Sequence, residues 1–346
     1  MISIRGGVGR FAIMLFSAAL SLPCPAQQGD PTEAATRAAI EKALPLLRKG
    51  SEGHMAQRTC FACHNQTHVL IAMRAAEQFA GIETDAAFID ANAAHTLKFL
   101  DRNREGYAEG RGQGGQADTA GYALWLLELA KTPPNDTTTA VAEYLLRFPA
   151  GEGYWRCGSV RPPSEASHFA TTHAAMRGLK AFASEAQAPR MRERLESAKA
   201  WLLKTDPADT EDAVFRLRGL LLVEAEKEAI AAAAQALWDL QREDGGFAQT
   251  KEMESDAYAT GSALAALAEM NIAAADPAAA MSERYARGAA FLLRTQEPDG
   301  SWRVKTRSKP FQEYFETGFP HEKDQFLSSA ATSWAVAALS ARLAKP

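Results

Sequence analysis

The chain has 346 residues, with 38 Lys and Arg against 42 Asp and Glu, so its net charge at pH 7 is -4. This mildly acidic balance argues against a nucleic acid or an anionic membrane surface as partner. A chain of this length can bury a core large enough to be stable without a disulfide framework.

The first 26 residues have the pattern of a secretory signal peptide. Arg5 and Arg10 precede an uncharged apolar stretch over 11–22, and small residues around Ala26 fit a cleavage site. The apolar stretch is shorter than the roughly 18 residues that a membrane span needs. We therefore expect residues 27–346 to form one exported domain, periplasmic or secreted, with no transmembrane segment.

Cleavage after Ala26 changes both the charge and the cysteine count. Loss of two arginines leaves 36 basic residues against 42 acidic ones, a net charge of −6. Cys24 is removed as well, and it offers an alternative lipoprotein site that Pro23 fits poorly. Three cysteines remain, at positions 60, 63 and 157. An odd number suits no disulfide set, so the close pair needs a chemical explanation.

Cys60-Phe61-Ala62-Cys63-His64 reads C-x-x-C-H, the attachment signature of a c-type haem. Two thiols at this spacing can each add to one vinyl group of the porphyrin, and the next imidazole can bind the iron. Export supports this prediction, because haem is attached covalently outside the bacterial cytoplasm. Two alternatives stay open: a zinc site built from the cysteine pair and one or two histidines, or a redox-active disulfide.

A helix followed by Gly and an aromatic residue recurs about every 50 residues. The clearest copies span 287–302 and 236–247, with weaker ones at 142–155 and 97–107 and degenerate ones from 43 and 198. A second helix, rich in Ala and Leu and opened by a capping residue, follows each copy. These second helices are expected at 67–80, 118–130, 167–182, 209–226, 255–270 and 328–343. Since convincing strand alternation is absent, we predict an all-α fold, an (α/α)6 toroid of six helix hairpins.

The pattern Gln296-x-x-x-Gly300-x-Trp302 resembles the QW repeat of the squalene–hopene cyclase and protein prenyltransferase superfamily. This resemblance covers nearly all of 40–343 and implies an (α/α)6 toroid with a central cavity. The segments 255–261 and 314–321 are similar to a narrower group, exported bacterial toroid proteins that carry an N-terminal C-x-x-C-H.

The resemblance also implies a function other than haem or zinc binding, that of a terpene-cyclase-like enzyme. Such cyclases protonate an alkene with the middle Asp of Asp-x-Asp-Asp, whereas this chain has Asp209-Thr210-Glu211-Asp212. Glu211 would have to replace that Asp, and the plainer interpretation is a helix N-cap with acids in its first turn. The Asp-x-Cys zinc pair of prenyltransferases is absent from the sequence. Glu211, Asp212 and Asp256 are therefore the candidate catalytic acids, and whether the protein is an enzyme stays open.

A second axial iron ligand would come from the remaining His and Met residues. The candidates are His54, Met55, His68, Met73, His168, His173 and His321. We prefer His321, because its Gly-Phe-Pro-His loop precedes the last inner helix, which neighbours the first in a closed ring. His168 is the next choice, and His95 is expected to pack on an outer helix. On this hypothesis His321→Ala alters the iron's spin state or potential, whereas Cys60→Ala weakens attachment.

Polar and aromatic residues at the starts of the inner helices are candidates to line a ligand cavity. They are Asp118, Tyr122, Asp256, Tyr258, Thr260 and Trp334, each of which also fits a capping or core role. The loop 161–165 lies on the same rim and would position a ligand or brace the turn. The sequence thus predicts an exported haem c protein acting in electron transfer with a redox partner protein, or in haem-linked binding of a small molecule. A zinc-bound or disulfide-bonded ligand-binding scaffold is the alternative.

Overall fold

The computed structural model describes residues 2, 32–149, 153–273, 283–310 and 312–344. The predicted signal peptide lies outside these residues except for residue 2. Within them the regular structure is helical, apart from two isolated bridges. None of the described helices is long and apolar enough to cross a membrane.

The helices form six pairs, as the repeats predicted. The first members are α1 (Glu33–Gln57), α3 (Ala86–Asp101), α6 (Asp136–Arg147), α8 (Ala188–Lys204), α10 (Lys227–Trp238) and α12 (Glu283–Thr295). The second members are α2 (His68–Ala80), α5 (Gln116–Leu129), α7 (His168–Phe182), α9 (Thr210–Leu222), α11 (Ala257–Ala273) and α13 (Gln325–Arg342). A short helix, α4 (Arg104–Ala108), lies between α3 and α5.

The second helices form a closed inner ring. They pack in chain order from α5 to α13, and α13 then packs on α2. A π-helical turn, Cys63–Thr67, immediately precedes α2 and packs against α5, which completes the ring. The predicted (α/α)6 toroid is therefore confirmed, and so is the adjacency of its first and last inner helices.

The repeat motif works by joining one outer helix to the next. Gln296 Nε2 donates to the carbonyl of Ala39 on α1 at 2.9 Å and to that of Gly300 at 2.9 Å. Gly300 has φ +102°, and a Cβ there would meet the Lys42 carbonyl at 2.7 Å. Trp302 Nε1 donates to Leu292 O on α12 at 2.7 Å. The last repeat thus docks on the first helix and closes the outer ring.

Side chains fill the axis of the ring, where the family resemblance implied a central cavity. They come from five inner helices and are His68, Trp125, His173, Phe215, Arg218 and Trp334. Arg218 is 2% exposed, lies 4.8 Å from the Trp334 ring and 5.1 Å from the Trp125 ring, and donates to Glu269 at 2.6 and 3.0 Å. The cavities of about 510 and 490 Å³ lie at the rim of the ring instead.

Candidate functional site

The C-x-x-C-H segment lies at the rim between α5 and α13. Thr67 Oγ1 donates to the Tyr122 carbonyl on α5 at 2.9 Å, and Ser329 Oγ on α13 donates to the His64 carbonyl at 3.3 Å. Gln66 Oε1 accepts from the Ala62 N–H at 3.1 Å and closes the turn on itself. These bonds fix the backbone that carries Cys63 and His64.

Cys60, Cys63 and His64 all line one cavity of about 510 Å³. This volume is within the range of pockets that hold small molecules and cofactors. Aromatic rings make up much of the wall, and polar groups face it from the inner helices and from the loop 161–165. Among the lining residues are His54, Phe61, Phe99, Asp118, Tyr122, Arg161, Glu165 and Phe315.

Cys63, His64 and Glu165 form the tightest cluster of chemically active groups on this wall. The Cys63 thiol donates to Glu165 Oε1 at 3.0 Å, and His64 Nδ1 lies 3.7 Å from Cys63 Sγ. One potential ligand atom from each of the three residues lies within 4.8 Å of the others. Burial and the Glu165 carboxylate raise the pKa of the Cys63 thiol, so without a metal it stays protonated.

Two histidines on the cavity wall are neutral at pH 7. Burial lowers the pKa of His64 to about 3 and that of His54 to about 4. His54 Nε2 lies 2.8 Å from the Cys60 carbonyl, to which it can only donate. Its Nδ1 then carries a lone pair, and no hydrogen-bond partner for that atom occurs in the part of the chain that the structure describes. Both rings are therefore in the form that binds a metal.

Asp118, at the start of α5, is a second acid on the wall. Its carboxylate accepts from Cys157 Sγ at 3.3 Å and from Thr171 Oγ1. Burial raises its pKa to about 6, since the charged form is poorly solvated there. The cavity thus holds a carboxyl group that titrates close to neutral pH.

A second cavity of about 490 Å³ lies beside the first and shares His64, Arg161, Glu165 and Gln312 with it. Its wall is apolar at Phe326, whose ring is 5.2 Å from that of His64. Other lining residues include Pro162, Pro163, Lys309, Pro310, Lys323 and Leu327. His64 therefore borders two spaces that a cofactor and a ligand can occupy.

The structure places His321 differently from the expectation. Its segment lies on the rim of α13 as predicted, but its Nε2 is 2.7 Å from Ser301 Oγ and its ring is near Phe319. It lines neither cavity beside His64. His168 is also engaged elsewhere, since its Nδ1 accepts from the Cys157 N–H at 3.0 Å. Of the candidate axial ligands, His54 is the one that lines the first cavity, and its Nδ1 has no hydrogen-bond partner among the described residues.

The candidate acids have structural partners. Asp209 caps α9 by accepting from the Asp212 N–H at 3.0 Å, which is the plainer interpretation of this motif, and Asp212 accepts from Ser167 at 2.6 Å. Asp256 accepts from the Ala259 N–H at 3.0 Å and pairs with Arg307. Glu211 is 2% exposed. None of these acids lines either of the two rim cavities.

Other sequence expectations have mixed outcomes. Asp118 and Tyr122 line the first cavity as expected, whereas Tyr258 is buried and its hydroxyl donates to Glu211 at 3.0 Å. His95 lies on the outer helix α3 as predicted, and its Nε2 is 3.0 Å from the Arg58 carbonyl oxygen. The cysteines at 60, 63 and 157 are all free thiols.

Sequence reasoning missed Glu165 as a partner of Cys63. The two residues are 102 positions apart, and nothing in the sequence links them. The available signal was the stiff polar loop 161–165, whose place on the rim was foreseen.

Comparison with known proteins agrees with this fold. A family model for the squalene-hopene cyclase C-terminal domain matches residues 209–332, about a third of the chain. No curated protein matches the chain in sequence. The chain therefore shares the α/α toroid fold with terpene cyclases.

Solved structures show the same likeness over nearly their whole length. A protein from Actinoplanes has a TM-score of 0.53 at 17% identity, with 87% of this chain and 99% of that chain covered. A type II terpene cyclase from Scytonema, in complex with geranylgeranyl dihydroxybenzoate, has a TM-score of 0.58 at 12% identity, covering 89% and 99%. A glycosidase in complex with glucose has 0.58 at 12%, covering 91% and 100%. At such identities the likeness concerns the fold alone.

Proposed function

We propose that this protein is an exported c-type haem-binding toroid that acts in electron transfer or in haem-linked ligand binding. One observation carries the proposal: Cys60, Cys63 and His64 line a single cavity of about 510 Å³. The donor set fits the group, because it offers two free thiols and a neutral imidazole. The signal-peptide pattern at 1–26 supports a periplasmic or secreted location.

Residues of the motif and of the cavity wall have separate roles toward a bound haem. Cys60 and Cys63 would hold the haem through thioether bonds, and His64 would bind its iron. His54 lines the same cavity and has an unpartnered Nδ1, so it is the residue that would supply a second iron ligand. Phe99 and Phe315 line the cavity and would give a bound haem an apolar surrounding, which tunes its potential. A bound haem would supply one-electron redox chemistry, so a redox partner protein is part of the proposal.

Expression of the full chain with a haem c maturation system tests the proposal. We expect a pyridine haemochrome spectrum from protein that retains its colour after denaturation. Cys60→Ala and Cys63→Ala should each weaken covalent attachment, since each removes one thioether. Cys157→Ala is the matched control and should keep it, because Cys157 lies outside the motif. A colourless wild-type protein under these conditions would refute the assignment.

The loaded protein also distinguishes the two axial candidates. His54→Ala should change the iron's spin state with attachment intact, whereas His321→Ala should leave the spectrum unchanged because its ring contacts Ser301. The opposite result would restore His321 as the ligand.

A further inference from the structure

The cluster of Cys63, His64 and Glu165 has its own chemical meaning in a chain without haem. Its three donors are a sulfur, an imidazole nitrogen and a carboxylate oxygen, which are the donor types that bind zinc in proteins. Donors that lie 2.0–2.3 Å from a tetrahedral zinc are roughly 3.3–3.8 Å from one another. The observed separations from Cys63 Sγ, 3.7 Å to His64 Nδ1 and 3.0 Å to Glu165 Oε1, are close to this spacing.

We propose that Cys63, His64 and Glu165 form a three-ligand zinc site in the haem-free chain. All three residues line the cavity of about 510 Å³, so the fourth coordination position faces that space. Three protein ligands and one open position are the arrangement of reactive zinc sites, whose open position takes water or a small anion. Asp118 lines the same cavity.

Neighbouring side chains orient the cluster. The two oxygens of Glu165 have separate partners, because Oε1 accepts from Cys63 and Oε2 pairs with Arg161. The backbones of Arg161 and Glu165 also exchange hydrogen bonds of 2.8 and 3.1 Å, which close the loop 161–165 on itself. Metal-binding carboxylates are typically held in place by such a second interaction with a neighbouring residue.

This site differs from a zinc site built on the cysteine pair. Cys60 lines the cavity but is not a member of the cluster, and its place is taken by Glu165, which is far away in sequence. Zinc binding therefore needs Cys63 without Cys60, whereas haem attachment needs both. The inference does not rest on the proposed haem function. Zinc at this site and covalently attached haem exclude each other, because a Cys63 sulfur bonded to a porphyrin no longer supplies a thiolate.

The test uses the full chain expressed without haem maturation, stripped of metal and titrated with Zn²⁺ against a chromophoric chelator. We expect one Zn²⁺ per chain, with one sulfur and two lighter donors from the protein in its X-ray absorption spectrum. Cys63→Ser, His64→Gln and Glu165→Gln should each lower the affinity at least as much as the 10–100-fold loss typical of removing a supporting residue. Circular dichroism melting identifies any variant that fails to fold, and Co²⁺ spectra of the folded ones give a second readout.

Cys60→Ser is the discriminating variant, and Cys157→Ser is the control for loss of a thiol outside the cluster. Both should bind Zn²⁺ as the wild type does. Absence of stoichiometric binding would overturn the inference. So would a loss in Cys60→Ser together with an unchanged Glu165→Gln, since that result assigns the metal to the cysteine pair. The haemochrome result is independent, so either proposal can fail while the other stands.

Discussion

Glu211 shows what a single buried side chain contributes. It is 2% exposed and accepts a hydrogen bond from Tyr258 at 3.0 Å. Burial, together with the nearby charge of Asp209, raises its pKa to about 8 from an ordinary value of 4.5. Glu211 is therefore a neutral acid below that pH, and in this structure it has the surroundings of a core residue.

Glu211→Gln should change how stability depends on pH. Between about 4.5 and 8 the unfolded chain has lost the Glu211 proton while the folded chain keeps it, so rising pH destabilises the wild type. The slope is at most about 1.4 kcal/mol per pH unit. Glutamine cannot ionise and still accepts from Tyr258, so the variant should gain stability relative to the wild type across this window. Urea denaturation at several pH values measures the difference.

Glu228→Gln, on the exposed surface of α10, is the control and should leave the pH dependence unchanged. A constant difference between wild type and Glu211→Gln from pH 5 to 8 would contradict the assignment of a neutral Glu211.

At the scale of elements, small residues decide how closely the inner helices approach. Gly261 on α11 lies against α13, and a Cβ there would meet Ala335 N and the Trp334 carbonyl carbon at 2.6 Å. These are backbone atoms, so a rotamer change cannot relieve the contact. The spacing of α11 and α13 therefore depends on this glycine.

Gly261→Ala should destabilise the fold by about 1–3 kcal/mol, the usual cost of overpacking a core. Gly114→Ala is a matched control, because no atom lies within 4 Å of its added Cβ. That variant should be neutral or stabilised by about 0.4–1 kcal/mol through the lower entropy of the unfolded chain. Thermal or urea unfolding gives both values, and an equal effect of the two variants would refute the close approach.

At the scale of the whole molecule, the ring is held by contacts across its axis as well as around its circumference. Arg218 contacts rings from three inner helices, with centroid distances of 5.1 Å to Trp125, 5.5 Å to Phe215 and 4.8 Å to Trp334. Its ion pair with Glu269 places a charge where the solvent is largely excluded. Such a group stabilises the fold only while its partners stay in place.

Arg218→Ala should cost about 2–5 kcal/mol, because it leaves a cavity among the rings at the axis. Glu269 is 43% exposed, so water can solvate its carboxylate once the ion pair is lost. Arg218→Met keeps most of the volume, so its loss should be clearly smaller. The midpoints of urea denaturation, with the slope compared between variants, measure this. Equal losses in both variants would mean that the charge, and not the filling of the axis, is what matters.

The architecture follows from local patterns in the sequence. The repeat of about 50 residues, the Gly after each clear copy and the Ala-rich second helices all reflect local backbone and packing requirements, which are written in contiguous residues. For the same reason the C-x-x-C-H segment and its place before the first inner helix were predictable. The adjacency of the first and last inner helices followed from closing six pairs into a ring.

The tertiary structure decided the composition of the site. Glu165 reaches Cys63 across 102 positions, and His54 lines the cavity with its Nδ1 unpartnered, while His321 contacts Ser301. Adjacency of segments follows from topology, but the direction of a side chain depends on rotamers and on loop backbones that no local pattern specifies. The filled axis is a further case, because its members come from five separate helices and no local pattern in the sequence brings them together.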